Sequence, residues 1–173
     1  MGAVPWRVVR YEGGSFSAVD DMVVDEVPLT LYVNGEKVVT VLTLGDEPLE
    51  LAVGFLRAEG FIDRREELLG WEVAPDEVRV RVARDLTVIR KLFEKRTVTT
   101  GCGKGTSFYQ ALDALRLRPV TSSTEFPAPL LLERMRELNE RSELYHKTGG
   151  THNASLIDME KTLLFRTDIG RHN

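Results

Sequence analysis

The only cysteine of the chain lies in a glycine-rich stretch and is the first candidate for chemistry. Residues 97–107 read TVTTGCGKGTS, so Cys102 is surrounded by three glycines, one lysine and several hydroxyl side chains. A free cysteine is usually a small buried hydrophobe, but no large apolar side chain within two positions can bury this sulfur. Glycine loses more conformational freedom on folding than other residues. We therefore expect a movable loop that lets another molecule approach the sulfur closely.

Apolar residues recur at helical spacing immediately after this loop, with Thr106 or Ser107 as the N-cap. They are Phe108, Ala111, Leu112 and Leu115. Cys102 is thus expected just before a helix N-terminus, where free N–H groups and the helix dipole favour an anion. Lys104 adds a positive charge two residues away. Both features lower the pKa of a thiol, so the pattern indicates a reactive cysteine, and an incidental loop cysteine is the alternative.

The composition limits the classes of function. A chain of 173 residues, 42% hydrophobic and 29% charged, is typical of one soluble domain, or of one domain with a smaller appendage. The net charge of −4 gives no electrostatic footprint for nucleic acid. One cysteine excludes an internal disulfide and a zinc site built on several thiolates. No signal-peptide core or membrane span is visible, so we expect a cytoplasmic protein with no metal and no membrane partner.

The order of predicted elements indicates a mixed α/β fold. The clearest signal is a hairpin over residues 29–42 that turns at Asn34-Gly35, a pair typical of type I′ turns. A helix follows, with Asp46 as its cap, Glu50 on its solvated face and Gly60 at its end. Further predicted elements are strands at 71–73, 78–82, 154–158 and 162–166, and a helix after Pro129 whose core stripe is Leu131, Met135 and Leu138.

Two polar clusters flank the last predicted hairpin. Residues 148–152 read TGGTH before its first strand, and residues 168–173 read DIGRHN after its second. An antiparallel hairpin returns to where it began, so both clusters should lie at the same edge. Backbone N–H groups of Gly149 and Gly150 and the guanidinium of Arg171 could then bind an anion. The alternatives are a structural histidine, an ordinary glycine turn and a helix-capping aspartate.

Three known chemistries can be compared with these residues. A zinc deaminase needs His-x-Glu and a second cysteine, and the sequence has neither. A phosphate-binding P-loop needs Gly-x-x-x-x-Gly-Lys-Ser/Thr, which the run around Lys104 does not match. A cysteine hydrolase, in which a histidine lies beside Cys102, remains open.

The chain resembles the formate dehydrogenase accessory sulfurtransferases (FdhD) in five stretches that occur in the family's order. The two C-terminal stretches, taken together, are highly specific, and the resemblance covers nearly all of the chain. The matching stretches are 27–35 (VPLTLYVNG), 51–60 (LAVGFLRAEG), 101–104 (GCGK), 148–152 (TGGTH) and 168–173 (DIGRHN).

The resemblance implies a sulfurtransferase that accepts persulfide sulfur from a cysteine desulfurase on Cys102. It would pass this sulfur to the molybdenum bis(guanine dinucleotide) cofactor of formate dehydrogenase, which it binds as a substrate. A non-catalytic chaperone for that cofactor is the alternative. The resemblance also implies a homodimer. The residues that would contact the cofactor are Lys104, Gly149, Gly150, Thr151, His152, Asp168, Arg171, His172 and Asn173.

The implied fold is a cytidine-deaminase-like three-layer sandwich with a smaller N-terminal antiparallel β portion. We expect residues 1–120 to form the β-rich portion with the cysteine loop and its helix, and residues 121–173 to begin the sandwich. The chain departs from the family in two ways. Thr99 stands where many members have the first cysteine of Cys-x-x-Cys, and the sequence stops inside the Gly-Arg-His-Asn motif, so we expect a C-terminally truncated sandwich.

Overall fold

A computed structural model of the chain describes residues 2–84, 119–171 and 173. In these ranges the strands are β1 (Ala3–Glu12), β2 (Ser15–Val24), β3 (Val27–Val33), β4 (Glu36–Thr43), β5 (Leu68–Val73), β6 (Glu77–Val82), β7 (His152–Ile157) and β8 (Thr162–Asp168). The helices are α1 (Pro48–Ala58), α2 (Ala128–Arg141) and α3 (Glu143–Thr148), with a short 3₁₀ turn at Arg65–Glu67. The strands form three sheets, in the orders β1-β2, β4-β3-β6-β5 and β7-β8. The predicted mixed α/β class is confirmed, whereas the three-layer sandwich and the division at residue 120 stay predictions.

The four-stranded sheet is built on the predicted hairpin. Asn34 and Gly35 form its turn with φ angles of 49° and 86°, the positive values that a type I′ turn requires. The side chain of Asn34 also exchanges two hydrogen bonds with the backbone of Val82, at 2.8 and 3.2 Å. Because β6 runs parallel to β3, these bonds extend the pairing of the two strands beyond their ends. Asn34 therefore both turns the hairpin and joins it to β6.

The core lies between one face of this sheet and α1. Alternate residues of β3, β4 and β6 point inward, as the period of two along a strand requires, and they meet Ala52 and Leu56 of the helix. The buried members are Leu29, Leu31, Val33, Val39, Val41, Ala52, Leu56, Phe61, Ile62, Val78, Val80 and Val82. The arginines that alternate with the buried positions of β6, Arg79 and Arg81, are exposed on the opposite face of the strand.

The C-terminus of helix α1 was predicted correctly from the sequence, and its N-terminus was not. Gly60 follows its last turn with φ at 75°, as predicted, and the N–H of Phe61 returns to the carbonyl of Leu56 at 2.8 Å. The predicted cap at Asp46 is wrong. Glu47 occupies the N-cap position in a left-handed conformation and makes no side-chain cap bond. Pro48 follows at the first helical position, where its missing N–H costs no intrahelical bond.

The first two strands form a separate ribbon of two long strands. Gly13 and Gly14 form its turn, with φ angles of 58° and 84°. Large apolar side chains along the ribbon are solvent-exposed, and ion pairs cross it from Arg7 to Asp20 and from Arg10 to Asp21. The exposed side chains are Trp6, Val9, Tyr11, Phe16 and Met22.

Helix α2 packs on the β7-β8 hairpin through its charged side. The carboxylate of Glu137 accepts hydrogen bonds from Arg134 at 3.1 Å and from Arg141 at 3.2 Å, and Arg134 also donates to the carbonyl of Glu160 at 2.6 Å. The predicted core stripe is therefore wrong at two of its three positions, since Leu131 and Met135 are 42% and 53% exposed, whereas Leu138 is half-buried. Among the helices of the described residues, none is long and apolar enough to cross a membrane.

The packing of α1 against the sheet predicts a large cost for truncating its most buried residue. Leu56 is fully buried, so Leu56→Ala is expected to lower the free energy of unfolding by about 2–5 kcal/mol, through lost apolar contact and the cavity left behind. Leu132→Ala is the matched control, because Leu132 is 60% exposed and should change stability by less than about 0.5 kcal/mol. Urea denaturation measures both, and equal losses would contradict this core.

Candidate functional site

The β7-β8 hairpin brings the two polar clusters together. His152 begins β7 and Asp168 ends β8, and the two are directly paired across the ladder. The predicted meeting of the two clusters at one edge of the hairpin is therefore confirmed for residues 148–152, 168–171 and 173, the part of both clusters that the structure describes. The antiparallel register alone produces it, because the turn at 158–161 returns the chain to its starting edge.

The glycine pair of the first cluster ends helix α3. Gly149 is the C-cap residue, with φ at 65°, and its N–H donates to the carbonyl of Tyr145 at 2.7 Å. The N–H of Gly150 donates to Oγ1 of Thr148 at 3.1 Å, and that hydroxyl donates to the carbonyl of Leu144 at 2.8 Å. Both glycine N–H groups thus have acceptors within the chain. In this structure they are not free donors for an anion, contrary to the expectation from sequence.

Gly150 is also a close-packing position. A Cβ atom on this residue would lie 3.0 Å from Cγ2 and 3.2 Å from Cγ1 of Val24, which is closer than side chains normally approach. Val24 ends β2, so the base of the β1-β2 ribbon packs directly on the glycine loop. The absence of a side chain at Gly150 therefore serves packing between elements far apart in sequence.

The carboxylate of Asp168 is the centre of the second cluster. Its Oδ1 accepts the N–H of Leu44 at 2.9 Å and the N–H of Ile169 at 2.7 Å. Its Oδ2 accepts Nδ2 of Asn173 at 3.2 Å, and the same amide donates to the carbonyl of Leu42 at 2.9 Å. Asp168 and Asn173 therefore bind the second cluster to the C-terminal end of β4.

Three other predicted residues differ in their access to a ligand. His152 and Arg171 are exposed, so their side chains are available to a ligand in solvent. Thr151 is only 2% exposed, and its Oγ1 has no hydrogen-bond partner among the residues that the structure describes. An exposed imidazole and an exposed guanidinium at one edge make a surface suited to an anion.

The remaining predicted site residues are Cys102, Lys104 and His172. They lie outside the described residues, as does Thr99, so their roles stay predictions. The same holds for the helix predicted after the cysteine loop. Among the described residues, no group of three or more histidines, carboxylates or cysteines is arranged to hold a metal ion.

One contact beside the site was not predicted. Arg166 of β8 donates Nε to Oε2 of Glu50 at 2.6 Å and Nη2 to Oε1 at 2.8 Å, a bidentate pair that joins β8 to α1. These hydrogen bonds, and the charge of Arg166, lower the pKa of Glu50, and Glu50 in turn raises the pKa of Arg166. Glu50 is exposed, which confirms its predicted place on the solvated face of α1, but its ion pair with Arg166 was not predicted. No local pattern could reveal it, since 116 positions separate the partners.

Comparison with known proteins gives a consistent match over most of the chain. The sequence model described as the FdhD/NarQ family matches residues 24–173. A sulfur carrier protein FdhD of Bacillus subtilis (strain 168) is 38% identical over 170 residues, covering 96% of this chain and 64% of that protein. A protein of the same name from Staphylococcus aureus (strain MRSA252) is 36% identical over 168 residues, covering 96% of this chain and 63% of that protein.

A solved structure is similar in fold. It is the crystal structure of a putative formate dehydrogenase accessory protein from Desulfotalea psychrophila, with a TM-score of 0.74 and 20% sequence identity. The similarity covers 99% of this chain and 64% of that one. The chain therefore spans slightly less than two thirds of the length of these relatives and of the solved structure.

The pair between Glu50 and Arg166 predicts a pH-dependent contribution to stability. Because folding lowers the pKa of Glu50, its contribution is fully present above the ordinary pKa of a glutamate and is lost as pH falls through the lowered value. Glu50→Gln should therefore cause a small decrease in melting temperature at neutral pH that disappears in acid. Comparing melting curves of the two proteins across pH measures this.

The control for this prediction is Glu140→Gln. Glu140 is an exposed residue of α2 for which the described part of the chain shows no ion pair. Its substitution should leave the melting temperature nearly unchanged at every pH. A difference between Glu50→Gln and the unsubstituted chain that stays constant down to acidic pH would contradict the assigned pair.

Proposed function

This chain belongs to the FdhD/NarQ family, and we propose that it carries sulfur as a persulfide on Cys102 for the maturation of a formate dehydrogenase. The observation that carries the proposal is the family match over residues 24–173. That range contains Cys102, the only cysteine, and the relatives matched over it are named sulfur carrier proteins. A sulfur carrier of this kind requires one nucleophilic thiol and no metal.

The chemistry of loading is thiol–disulfide exchange at a persulfide. The Cys102 thiolate attacks the outer sulfur of a persulfide on a cysteine desulfurase. A new S–S bond forms on Cys102, the donor's S–S bond breaks, and its electron pair leaves with the donor's thiolate. A low thiol pKa favours the attacking form near neutral pH, which is the role of Lys104 and of the helix N-terminus expected after the loop.

Delivery of the sulfur breaks the S–S bond that loading formed at Cys102. The S–S bond breaks and its electron pair returns to Cys102 as a thiolate. The outer sulfur becomes a sulfido ligand by taking two electrons from the reduced molybdenum centre of the bis(guanine dinucleotide) cofactor, which is the substrate. Exposed Arg171 and His152 supply cationic and hydrogen-bonding groups for the diphosphates of that substrate. The loop with Cys102 presents the sulfur to the bound cofactor.

The proposal names the partners by their chemistry. The donor is a cysteine desulfurase, the acceptor is the guanine-dinucleotide cofactor, and the final recipient is a formate dehydrogenase. A homodimer remains a prediction from the family resemblance. The rival function, a chaperone that binds the cofactor without carrying sulfur, needs the same surface beside His152 but no chemistry at Cys102.

Sulfur loading on Cys102 is the first prediction of this function. After incubation with a cysteine desulfurase and cysteine, the chain should gain the mass of one sulfur atom, and a thiol reductant should remove it. Cys102→Ala should gain none, because no other thiol exists in the chain. Intact-protein mass spectrometry measures both. A chain that binds a guanine nucleotide yet gains no sulfur supports the chaperone function instead.

The second prediction concerns the charge of Lys104. Lys104→Gln should raise the pKa of the Cys102 thiol by a few tenths to about one unit, because a positive neighbour stabilises the thiolate. The pH dependence of the rate of alkylation by iodoacetamide measures this pKa. Lys37→Gln, at the start of β4, removes the same charge elsewhere in the chain and should not move it. Equal shifts in the two variants would show that Lys104 has no specific role.

A further inference from the structure

The lone pairs of Asp168 are largely used within the protein. Its carboxylate accepts three N–H groups, from Leu44, Ile169 and Asn173, and a carboxylate offers about four acceptor positions in all. Leu44 is 7% exposed. If the bond to Asp168 were lost, water could not readily replace it as the acceptor of the Leu44 N–H. A carboxylate held in this way has little capacity left for a ligand.

The amide of Asn173 is used in the same way. A side-chain amide has two N–H donors, and Nδ2 of Asn173 donates one to Leu42 and one to Asp168. A Cβ atom on Gly170 would lie 2.7 Å from Oδ1 and 2.9 Å from Nδ2 of this amide. The glycine therefore leaves space that the Asn173 side chain fills, and the N–H of Asn173 also returns to the carbonyl of Gly170 at 3.1 Å.

We propose that Asp168 and Asn173 are positioning residues, which hold the turn carrying Arg171 against the end of β4 while Arg171 and His152 contact the ligand. This assignment rests on the proposed function, because it concerns the guanine-nucleotide part of the same substrate. It assigns two different roles to the residues that the sequence analysis predicted as cofactor contacts. Asp168, Asn173 and Gly170 determine where the turn lies, and the exposed side chains bind.

Electrostatics support this division. A carboxylate that pointed at a diphosphate would repel it, so contact between Asp168 and the anionic part of the substrate is unfavourable. The parts of the nucleotide that suit a carboxylate are the ribose hydroxyls and the guanine base, whose N1–H and 2-amino group can both donate to it. If Asp168 contacts the base, Asp168→Asn should remove the preference for guanine over a base that lacks the 2-amino group. If Asp168 only positions the turn, that preference should stay.

The test compares guanosine diphosphate with inosine diphosphate, which lacks that amino group. Calorimetric titration of the chain and of Asp168→Asn, Asn173→Ala and Gly170→Ala gives the dissociation constant for each nucleotide. We expect each variant to weaken binding of both nucleotides by about tenfold, the effect of losing about one hydrogen bond in the site. The ratio of the two constants should stay that of the unsubstituted chain. Gly170 is informative because it has no side chain that could touch a ligand.

Asp158→Asn is the matched control. Asp158 lies at the opposite end of the β7-β8 hairpin, and its Oδ1 also accepts two backbone N–H groups, those of Glu160 at 2.8 Å and Lys161 at 2.7 Å. Its substitution should leave both dissociation constants unchanged. Amide hydrogen exchange gives a second measurement, because the N–H of Leu44 should exchange faster in Asp168→Ala, which removes its acceptor, but not in Asp158→Asn.

Three outcomes would overturn the inference. Loss of the preference between the two nucleotides in Asp168→Asn would make Asp168 a reader of the base. Tighter binding in that variant would mean that the carboxylate only repels the ligand, and unchanged exchange at Leu44 would remove the positioning contact. If the unsubstituted chain binds neither nucleotide, this inference fails, while sulfur loading of Cys102 is still decided by its own mass measurement.

Discussion

The hydrogen bond between the buried N–H of Leu44 and the carboxylate of Asp168 is the contact on which the arrangement of the site depends. It joins the end of β4 to the end of β8, two segments separated by 124 positions. A buried N–H without an acceptor costs about 1–3 kcal/mol, so this bond favours one placement of the β7-β8 hairpin. The bidentate pair between Glu50 and Arg166 is exposed, and such pairs contribute orientation more than stability.

The hydrogen bonds that hold the β7-β8 hairpin limit which groups at its edge are available to the proposed ligand. The groups that a sequence motif suggests as ligand contacts are divided between those that hold the hairpin and those left free. The N–H groups of Gly149 and Gly150 and the side chains of Asp168 and Asn173 have partners within the chain. The exposed side chains of His152 and Arg171 are the described groups of this edge that remain for an anion. A residue that belongs to one of these sequence motifs therefore need not contact the ligand.

Sequence reasoning succeeded where one short segment decides its own conformation. The turn at Asn34-Gly35, the end of α1 at Gly60 and the meeting of the two polar clusters follow from positive-φ residues and from strand pairing over a few positions. It failed at α2, where helical spacing predicted a core stripe containing Leu131 and Met135. Both are exposed, because the helix meets the turn between β7 and β8 through Arg134 and the start of β8 through Glu137. Spacing identifies an apolar face but does not say whether another element covers it.

The sequence by itself determined the family, the presence of a single cysteine, Cys102, and the hairpin that brings residues 148–152 next to residues 168–171 and 173, since each depends on residue identity or local pairing. Only the tertiary structure decided that Asp168 bonds to Leu44, that Asn173 bonds to Leu42 and that Gly150 packs on Val24. The physical reason is the nature of the partners. A backbone N–H, a backbone carbonyl and a valine methyl are present throughout any chain, so nothing in the residue types shows which of them a distant side chain will meet.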